Sequence, residues 1–311
     1  FFFKQKTAYE ITYGDWSSDV YSSDLKILVP IDFSETAALA LEHATFMGKL
    51  MKAELDLLYV MESPSFVSAI SSAFSSTKTE YEKNIESTAD DKFKEMIRKI
   101  HHDTGMPVNS HVLKGKIYKT INETAARLRS DVIIMGTHGA SGFQEHIIGS
   151  NAYKVVSSAP CPVISVQTHI KKVGFHDIVL PIDNSPTSRQ KVTAAIELAR
   201  VYKSVVHIVG LINSSNEEVL RKFDVKISQV KHFVEEHEVA YTTKVLNGEH
   251  LSTMCMDYGT SINADLIVIM TDQEGGLFMG SGAQKIVNHS KIPVLSVRPQ
   301  EGDPDKISIG Y

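Results

Sequence analysis

Short apolar runs alternate with longer amphipathic segments along most of the chain. The runs are rich in Val, Ile and Leu, as in Ile27–Ile31, and the longer segments carry apolar residues at helical spacing, as from Ala37 to about Met51. Short apolar runs are typical of strands buried on both faces, and the helical spacing is typical of the helices that cover them. The pattern therefore predicts an α/β fold, a parallel sheet with helices on both faces.

The first half is predicted to contain five strands and four helices. The predicted strands are Ile27–Ile31, Leu55–Val60, Val108–Leu113, Val132–Met135 and Pro162–Val166. The predicted helices run from Ala37 to about Met51 (capped by Ser34), over Thr79–His101, over Ile117–Leu128 and from Asn151 to about Ser158. The serine-rich stretch Ser63–Thr77 is predicted to be a loop.

The second half of the sequence repeats the first. The matched pairs, in chain order, are Lys26–Thr36 with Asp177–Thr187, Val112–Gly115 with Val245–Gly248, Asp131–Met135 with Asp265–Ile269, Gly149–Ala152 with Gly280–Ala283, and Pro162–Val166 with Pro293–Val297. Matches kept in the same order indicate a tandem of two similar domains. We place the domains at residues 26–168 and 176–299, followed by a polar tail at 300–311.

The first 25 residues do not fit either repeat. The stretch Phe1–Leu25 has no sustained period and no signal-peptide core, and it resembles a translated sequencing-library adapter. We interpret it as a non-native, disordered segment, so its Trp16 carries no functional weight. The alternative is a genuine disordered N-terminal arm.

Charge and cysteine content exclude several classes of function. The formal net charge of −5 and the absence of a basic run argue against nucleic acid and membrane surfaces as partners. No apolar segment is long enough to span a bilayer. The two cysteines, Cys161 and Cys255, form neither a disulfide framework nor a metal-ligand pattern. A cytoplasmic protein with two ordinary thiols is the expectation.

A glycine-rich loop follows the fourth predicted strand. Its spacing is Gly136-x2-Gly139-x9-Gly149-Ser150, and a predicted helix begins directly after it. Glycines let a ligand approach the backbone, and the first turn of a helix offers N–H groups and a positive dipole end to phosphate. A serine at that start can cap the helix and donate its hydroxyl to a phosphate oxygen. The spacing matches neither the P-loop nor the dinucleotide-binding fingerprint.

At this motif the sequence resembles the universal stress protein family, specifically its ATP-binding branch, whose G-x2-G-x9-G-[S/T] pattern is complete here. The resemblance extends from Lys26 to about Pro299. It implies two Rossmann-like (adenine nucleotide alpha hydrolase-like) domains, each a five-stranded parallel sheet of order 3-2-1-4-5. In such sheets ligands lie beyond the carboxyl ends of the strands, where the order reverses.

The resemblance also implies the site residues and the ligand, which is ATP, with Mg²⁺ as its companion ion. Asp32 ends the first strand and could accept hydrogen bonds from ribose or adenine; alternatively, it only orders the turn before the next helix. The backbone of Val60 is expected to meet adenine, and Gly136 to approach the ribose. Gly139, Gly149, Ser150 and Asn151 are expected to surround the phosphates. Gly142 is assigned to loop shape. His138 is expected at the rim of the loop, and the alternative is that it pairs with phosphate or acts as a base.

The second half departs from the motif. Met270 and Thr271 stand where Gly136 and Thr137 stood, and the loop after them is shorter. Asp272 and Glu274 bring negative charge toward a phosphate pocket, which disfavours an anion. We interpret this half as poor in nucleotide or free of it, with a structural or partner-binding role; a different small ligand is the alternative.

The fifth strand of each half is apolar and lies at a sheet edge, which must be covered. Universal stress proteins pair through this strand. The resemblance therefore implies a pseudo-dimer within the chain, compatible with a further homodimer of tandems; its protein partners stay unknown.

Three functions are compatible with the sequence. The leading hypothesis is an ATP-binding stress-response protein that acts as a nucleotide-dependent switch or partner-binding module. The second is a slow ATPase or autophosphorylating enzyme, although the sequence offers no Walker lysine, arginine finger or catalytic residue. The third is a nucleotide-free interaction scaffold.

Overall fold

The computed structural model describes residues 25–62, 75–137, 148–167, 172–271 and 280–299, with backbone only for 75–81. In the first half the elements are β1 (Lys26–Pro30), α1 (Glu35–Met51), β2 (Glu54–Met61), α2 (Ser75–Thr104), β3 (Val108–Lys114), α3 (Ile117–Leu128), β4 (Val132–Gly136), α4 (Ser150–Ser158) and β5 (Val163–Val166). Helix α2 is longer at both ends than predicted, so Ser75–Thr77 is helical rather than loop. The rest of the predicted loop lies outside the described residues.

The second half follows the same order. Its elements are β6 (Asp177–Ile182), a 3₁₀ helix (Pro186–Arg189), α5 (Val192–Tyr202), β7 (Val205–Ile212), α6 (Glu217–Glu236), β8 (Ala240–Asn247), α7 (Leu251–Ser261), β9 (Leu266–Met270), α8 (Ser281–His289) and β10 (Val294–Val297). Among the described elements, the second half adds the 3₁₀ helix, which lies in the segment after Asp183, before α5 begins.

All ten of these strands form one sheet. Their order is β3-β2-β1-β4-β5-β10-β9-β6-β7-β8, which repeats the predicted order 3-2-1-4-5 in each half. Pairing is parallel within each half and antiparallel between β5 and β10, where Ile164 lies opposite Leu295. The Arg298 guanidinium also donates to the carbonyl of Ala159 at 3.0 Å across the junction. The β5 edge of the first domain is thus covered by the second domain.

Each face of the sheet buries its own apolar layer. Successive residues of a strand point to opposite faces, so Ile27 packs under α1 and α2 while Leu28 packs under α3 and α4. The first layer runs without interruption from Phe93 in α2 to Phe223 in α6. This confirms the α/β class with helices on both faces. Among the described residues, no helix combines the length and apolarity that crossing a bilayer requires.

The end of β4 sits very close to the first turn of α1. A Cβ atom added to Gly136 would lie 2.8 Å from Thr36 Cβ and 2.9 Å from the Thr36 carbonyl carbon. No side chain fits there, so glycine at this position is required by packing alone. At the corresponding position the second domain has Met270, which is buried, and there the chain forms the 3₁₀ helix instead of the first turn of an α-helix. The larger side chain accounts for the displaced start of α5.

The two domains also meet through a buried aromatic seam beside the sheet. On α1, His43 is 2% exposed and stacks on Phe175 of the connecting segment, with ring centroids 5.3 Å apart. Phe175 packs in turn on Tyr202 of α5 at 5.2 Å. Gly174 has φ +103° and passes between Phe46 and Tyr202, where a Cβ would be crowded. The connector therefore fills the space between α1 and α5.

The imidazole of His43 has no hydrogen-bond partner among the described residues at either ring nitrogen. Burial lowers the pKa of His43 from 6.5 to about 4, although the carboxylate of Asp265 partly opposes the shift. The folded state therefore binds fewer protons than the unfolded state between these pH values. The stability associated with the neutral ring is complete above pH 6.5 and is lost as pH falls toward 4.

We expect His43→Leu to make the protein more resistant to acid. Between pH 7 and pH 5 the wild type should lose about 2 kcal/mol of unfolding free energy that the variant retains, because the unfolded histidine takes up a proton that the buried one refuses. Urea unfolding at the two pH values measures the difference. His232→Gln, a change on the exposed side of α6, is the control; an acid response of His43→Leu equal to that of the wild type would contradict the prediction.

We expect Gly136→Ala to destabilise the first domain by about 2 kcal/mol, because the methyl group must displace the backbone of α1. Gly282→Ala is the matched control, since its Cβ would meet only the mobile hydroxyl of Ser252 at 3.3 Å. Urea unfolding of both variants measures the effect. Equal unfolding midpoints for Gly136→Ala and the wild type would contradict the prediction, because α1 would then have moved aside without loss of stability.

Candidate functional site

Three segments of the first domain converge at the carboxyl ends of β1 and β4, where the strand order reverses. The turn after β1 carries Asp32, and its helix start touches Gly136 through Thr36. The N–H of Gly149 donates to the carbonyl of Thr137 at 2.8 Å and holds the start of α4 against the end of β4. The structure therefore brings Asp32, Gly136, Gly149, Ser150 and Asn151 to one edge of the sheet, which is the predicted location of the site.

Asp32 is exposed at this edge and orders the turn that contains it. One carboxylate oxygen, Oδ1, accepts hydrogen bonds from the Ser34 N–H at 3.0 Å and from the Ser34 hydroxyl. The same hydroxyl accepts from the N–H of Ala37 at 3.2 Å, which confirms Ser34 as the cap of α1. Asp32 therefore does order the turn. Because its carboxylate also faces solvent, a role in ligand binding remains a prediction.

The start of α4 differs from the predicted cap. Gly149 is the N-cap residue, with φ −59° and ψ 144°, and no side chain caps the helix. Ser150 is the first helical residue and is exposed, so the interpretation of Ser150 as the cap is wrong. The physical reason is that Ser150 already belongs to the first helical turn, whereas Gly149 has the extended backbone of a capping residue and, as glycine, has no side chain with which to cap. The first-turn N–H groups of α4 lie at the same edge of the sheet as the Asp32 turn.

The other two predicted site residues are Val60 and Gly139, and the structure describes only the first of them. Val60 lies on β2, half-buried, with β1 between it and β4. Its backbone is at the same end of the sheet as Asp32. Gly139, together with His138 and Gly142, lies outside the described residues, so the middle of the glycine-rich loop stays a prediction.

A cavity lies beside Asp32, between the β1–α1 turn and α2. Its volume is about 250 Å³, and its lining consists of Ile31, Phe33, Ser34, Ala38, Lys92, Glu95 and Met96. Phe33 has φ 63°, a left-handed conformation that is unusual for a bulky residue. Its ring packs 5.3 Å from that of Tyr59 and lies 4.4 Å below the Lys92 ammonium. The cavity could not be predicted from the sequence, because Lys92 and Met96 come to it on α2, far along the chain from Phe33.

The second domain builds the same edge with different contacts. Thr271 repeats the bonds of Thr137, donating its N–H to Val297 at 2.8 Å as Thr137 does to Val166 at 2.9 Å. Gly280 and Ser281 repeat the exposed start of α4 at the start of α8. Two lysine side chains reach the turn after β6, those of Lys191 and Lys226. Neither contact was predicted from the sequence. A signal existed for one of them, since Lys191 stands eight residues after Asp183 where the first repeat has Ala40.

Asp183 is correspondingly more enclosed than Asp32. Burial opposes its ionisation, but the nearby Lys191 ammonium and hydrogen bonds from Ser185 and Ser188 outweigh that effect and hold the pKa of Asp183 below its ordinary value. Asp183 therefore stays ionised in the folded protein. The predicted repulsion from Asp272 and Glu274 falls on residues outside the described ranges.

Neither cysteine is equipped for chemistry. Burial raises the pKa of Cys161 to about 12 and that of Cys255 to about 12, so both thiols stay protonated near neutral pH. Within the described ranges, no group of three or more His, Cys, Asp or Glu side chains could hold a metal ion. The chemistry available at the first site is hydrogen bonding to polar and anionic groups.

Comparison with known proteins places this geometry in a family. The model of the universal stress protein family matches the chain twice, over residues 25–167 and 174–298. Universal stress protein MJ0531 of Methanocaldococcus jannaschii is 30% identical over 142 residues, which cover 46% of this chain and 81% of that protein. Universal stress protein MJ0577 of the same organism is 29% identical over 153 residues, covering 46% of this chain and 94% of that protein.

A solved structure matches both halves at once. The crystal structure of a universal stress protein from Archaeoglobus fulgidus superimposes with a TM-score of 0.72 at 18% identity, covering 90% of this chain and 98% of that one. At this identity the likeness concerns the fold alone. The curated relatives each correspond to about half of the chain, in agreement with the repeat. Because the family model matches two consecutive stretches that together span most of the sequence, the chain belongs to the universal stress protein family and carries two such domains in tandem.

Proposed function

We propose that the first domain binds an adenine nucleotide, ATP, and that binding alters the surface which the protein presents to a partner. One observation carries the proposal: the Gly149–Thr137 hydrogen bond sets the start of α4, with an exposed Ser150, beside the Asp32 turn. A helix start with free N–H groups and a hydroxyl attracts phosphate, and a carboxylate nearby accepts hydrogen bonds from sugar hydroxyls. The glycine spacing that resembles the ATP-binding branch of the family supports the same ligand.

The residues divide the nucleotide between them. Ser150 and the first-turn amides of α4, including that of Asn151, would hold phosphate oxygens, and Gly139 would add loop amides. Gly136 would approach the ribose, and Asp32 would accept from a ribose hydroxyl. The Val60 backbone would meet adenine, with the cavity beside Phe33 adjoining it.

Mg²⁺ fits the site as a companion of the phosphates rather than as a resident metal. The described side-chain donor at the proposed phosphate position is an oxygen, the Ser150 hydroxyl, and hard oxygen ligands are what Mg²⁺ takes. When bound with ATP, the ion would neutralise phosphate charge. The protein's own part is to orient the phosphates at α4.

The output we propose is conformational. The ligand would touch two segments, the Asp32 turn that precedes α1 and the loop that precedes α4. A ligand that bridges these segments favours the state in which they are close together, and this shifts the population toward that state. Helix α1 continues from the turn to the seam at His43, so the first domain's contact with the second lies on the same element.

We expect about one adenine nucleotide per chain when the full-length protein is purified, denatured and analysed by chromatography and mass spectrometry. Gly149→Asp should abolish the bound nucleotide, because a carboxylate would project beside the phosphates. Gly280→Asp is a matched control, since Gly280 is also an N-cap with nearly the same backbone (φ −53°, ψ 146°) but lies in the second domain. Two nucleotides per chain would contradict our reading of the second domain. If no nucleotide is bound, even with added Mg-ATP, the proposed function fails and the nucleotide-free scaffold is favoured.

We expect Ser150→Ala to weaken Mg-ATP binding about tenfold, which corresponds to about 1.4 kcal/mol for one hydroxyl bond to phosphate. Ser281→Ala occupies the same place on α8 and should leave the affinity unchanged. Calorimetric titration measures both. Phosphate release assayed on the same samples addresses the alternative of a slow ATPase: turnover that disappears in Gly149→Asp would favour the enzyme.

A further inference from the structure

The turn after β6 is tied down by two lysine side chains. The Lys226 ammonium reaches from α6 and donates to the carbonyls of Asp183 at 3.0 Å and Ser185 at 3.2 Å. The Lys191 ammonium, on a residue only 3% exposed, donates to the carbonyl of Ser188 at 2.9 Å and to its hydroxyl at 3.1 Å. That hydroxyl also accepts from the Asp183 N–H at 3.0 Å. The turn is therefore cross-linked at both ends.

The first domain has a different arrangement at the same place. Ala40 stands where the second domain has Lys191 and brings no charge to the turn. Helix α2 does supply a lysine, Lys92, but its ammonium lies over the Phe33 ring at the rim of the 250 Å³ cavity. The turn with Asp32 thus has a cavity beside it, whereas the turn with Asp183 has an ammonium group on its backbone carbonyls.

We propose that Lys191 and Lys226 form an internal latch that holds the second turn in one conformation without any ligand, so that only the first turn responds to one. The Lys191 ammonium stabilises the charge of Asp183, and both ammonium groups use backbone carbonyls of the turn as acceptors. Charge-assisted hydrogen bonds are stronger than neutral ones, and a ligand that needed this turn to move would have to break them. Lys191 and Lys226 are accordingly specificity-determining residues of the second domain, acting together with Met270.

The latch itself does not depend on the proposed function; only its bearing on nucleotide stoichiometry does. The direct reporters are the amides of Asp183, Ser185 and Ser188, whose N–H groups all donate within the turn. Their hydrogen exchange measures the opening of the turn and requires no nucleotide.

The test is hydrogen exchange with mass spectrometry on the full chain. In Lys226→Met, which keeps the apolar stem, the peptide that covers 183–190 should exchange about tenfold faster than in the wild type. Lys191→Ala should give a similar rise, and Lys226→Met remains informative if Lys191→Ala does not fold. Lys222→Met is the matched control, because Lys222 lies one turn earlier on α6 and, among the described residues, forms its ion pair with Glu218 on the surface, at 2.7 Å. Unchanged exchange in Lys226→Met would overturn the latch.

A second arm separates the latch from the proposed function. Mg-ATP added to the wild type should slow exchange in peptides covering 32–40 and leave 183–190 as it was. Slowing at 183–190 would overturn the latch, since a latched turn has nothing to gain from a ligand. If Mg-ATP slows neither turn and does not bind, the proposed function fails, while the exchange of Lys226→Met still decides for or against the latch.

Discussion

The pairing of β5 with β10 is the contact on which the rest of the molecule depends. Each domain ends in a short, fully buried apolar strand, and neither strand could face water without exposing a sheet edge. Antiparallel pairing joins the two sheets into one and lets the apolar layer under α1 continue beneath α5. The seam of His43, Phe175 and Tyr202 is a consequence, because the two helices are brought side by side and the connector is enclosed between them.

The two halves share one plan although their sequences differ at many positions. The threonine after the fourth strand, the glycine–serine helix start and the aspartate after the first strand are kept in both halves. Two of the differences lie near the ends of the strands where a ligand would enter: Gly136 against Met270, and Ala40 against Lys191. Methionine occupies the space that the first turn of a helix needs, and lysine brings a positive charge to the turn after β6. At this turn the second domain's own side chains donate to the backbone carbonyls.

The sequence predicted most of the fold for an identifiable reason. Strands buried on both faces must be apolar throughout, and helices against them must be amphipathic. The pattern of apolar residues was therefore enough to predict the strand Val132–Met135 and the helix Ile117–Leu128. The repeat then gave the tandem. The contacts that were missed join elements far apart in the chain. Phe33 was not recognisable as a ring below Lys92, and Lys226 was not recognisable as a group on the Asp183 turn, because neither pairing leaves a periodic pattern. The capping of α4 was misassigned because the sequence does not show at which residue the backbone changes from extended to helical, and the change comes between Gly149 and Ser150.

Antiparallel joining has a further geometric consequence. The strands of the first domain run in the opposite direction to those of the second, so their carboxyl ends point to opposite sides of the molecule. The Asp32 turn and the latched Asp183 turn are therefore found on opposite rims of one sheet, and no single flat surface touches both. A protein that docks over the first site meets, on the same rim, the amino-terminal ends of the second domain's strands. The second domain would then offer that protein a fixed contact surface rather than a second ligand-responsive site.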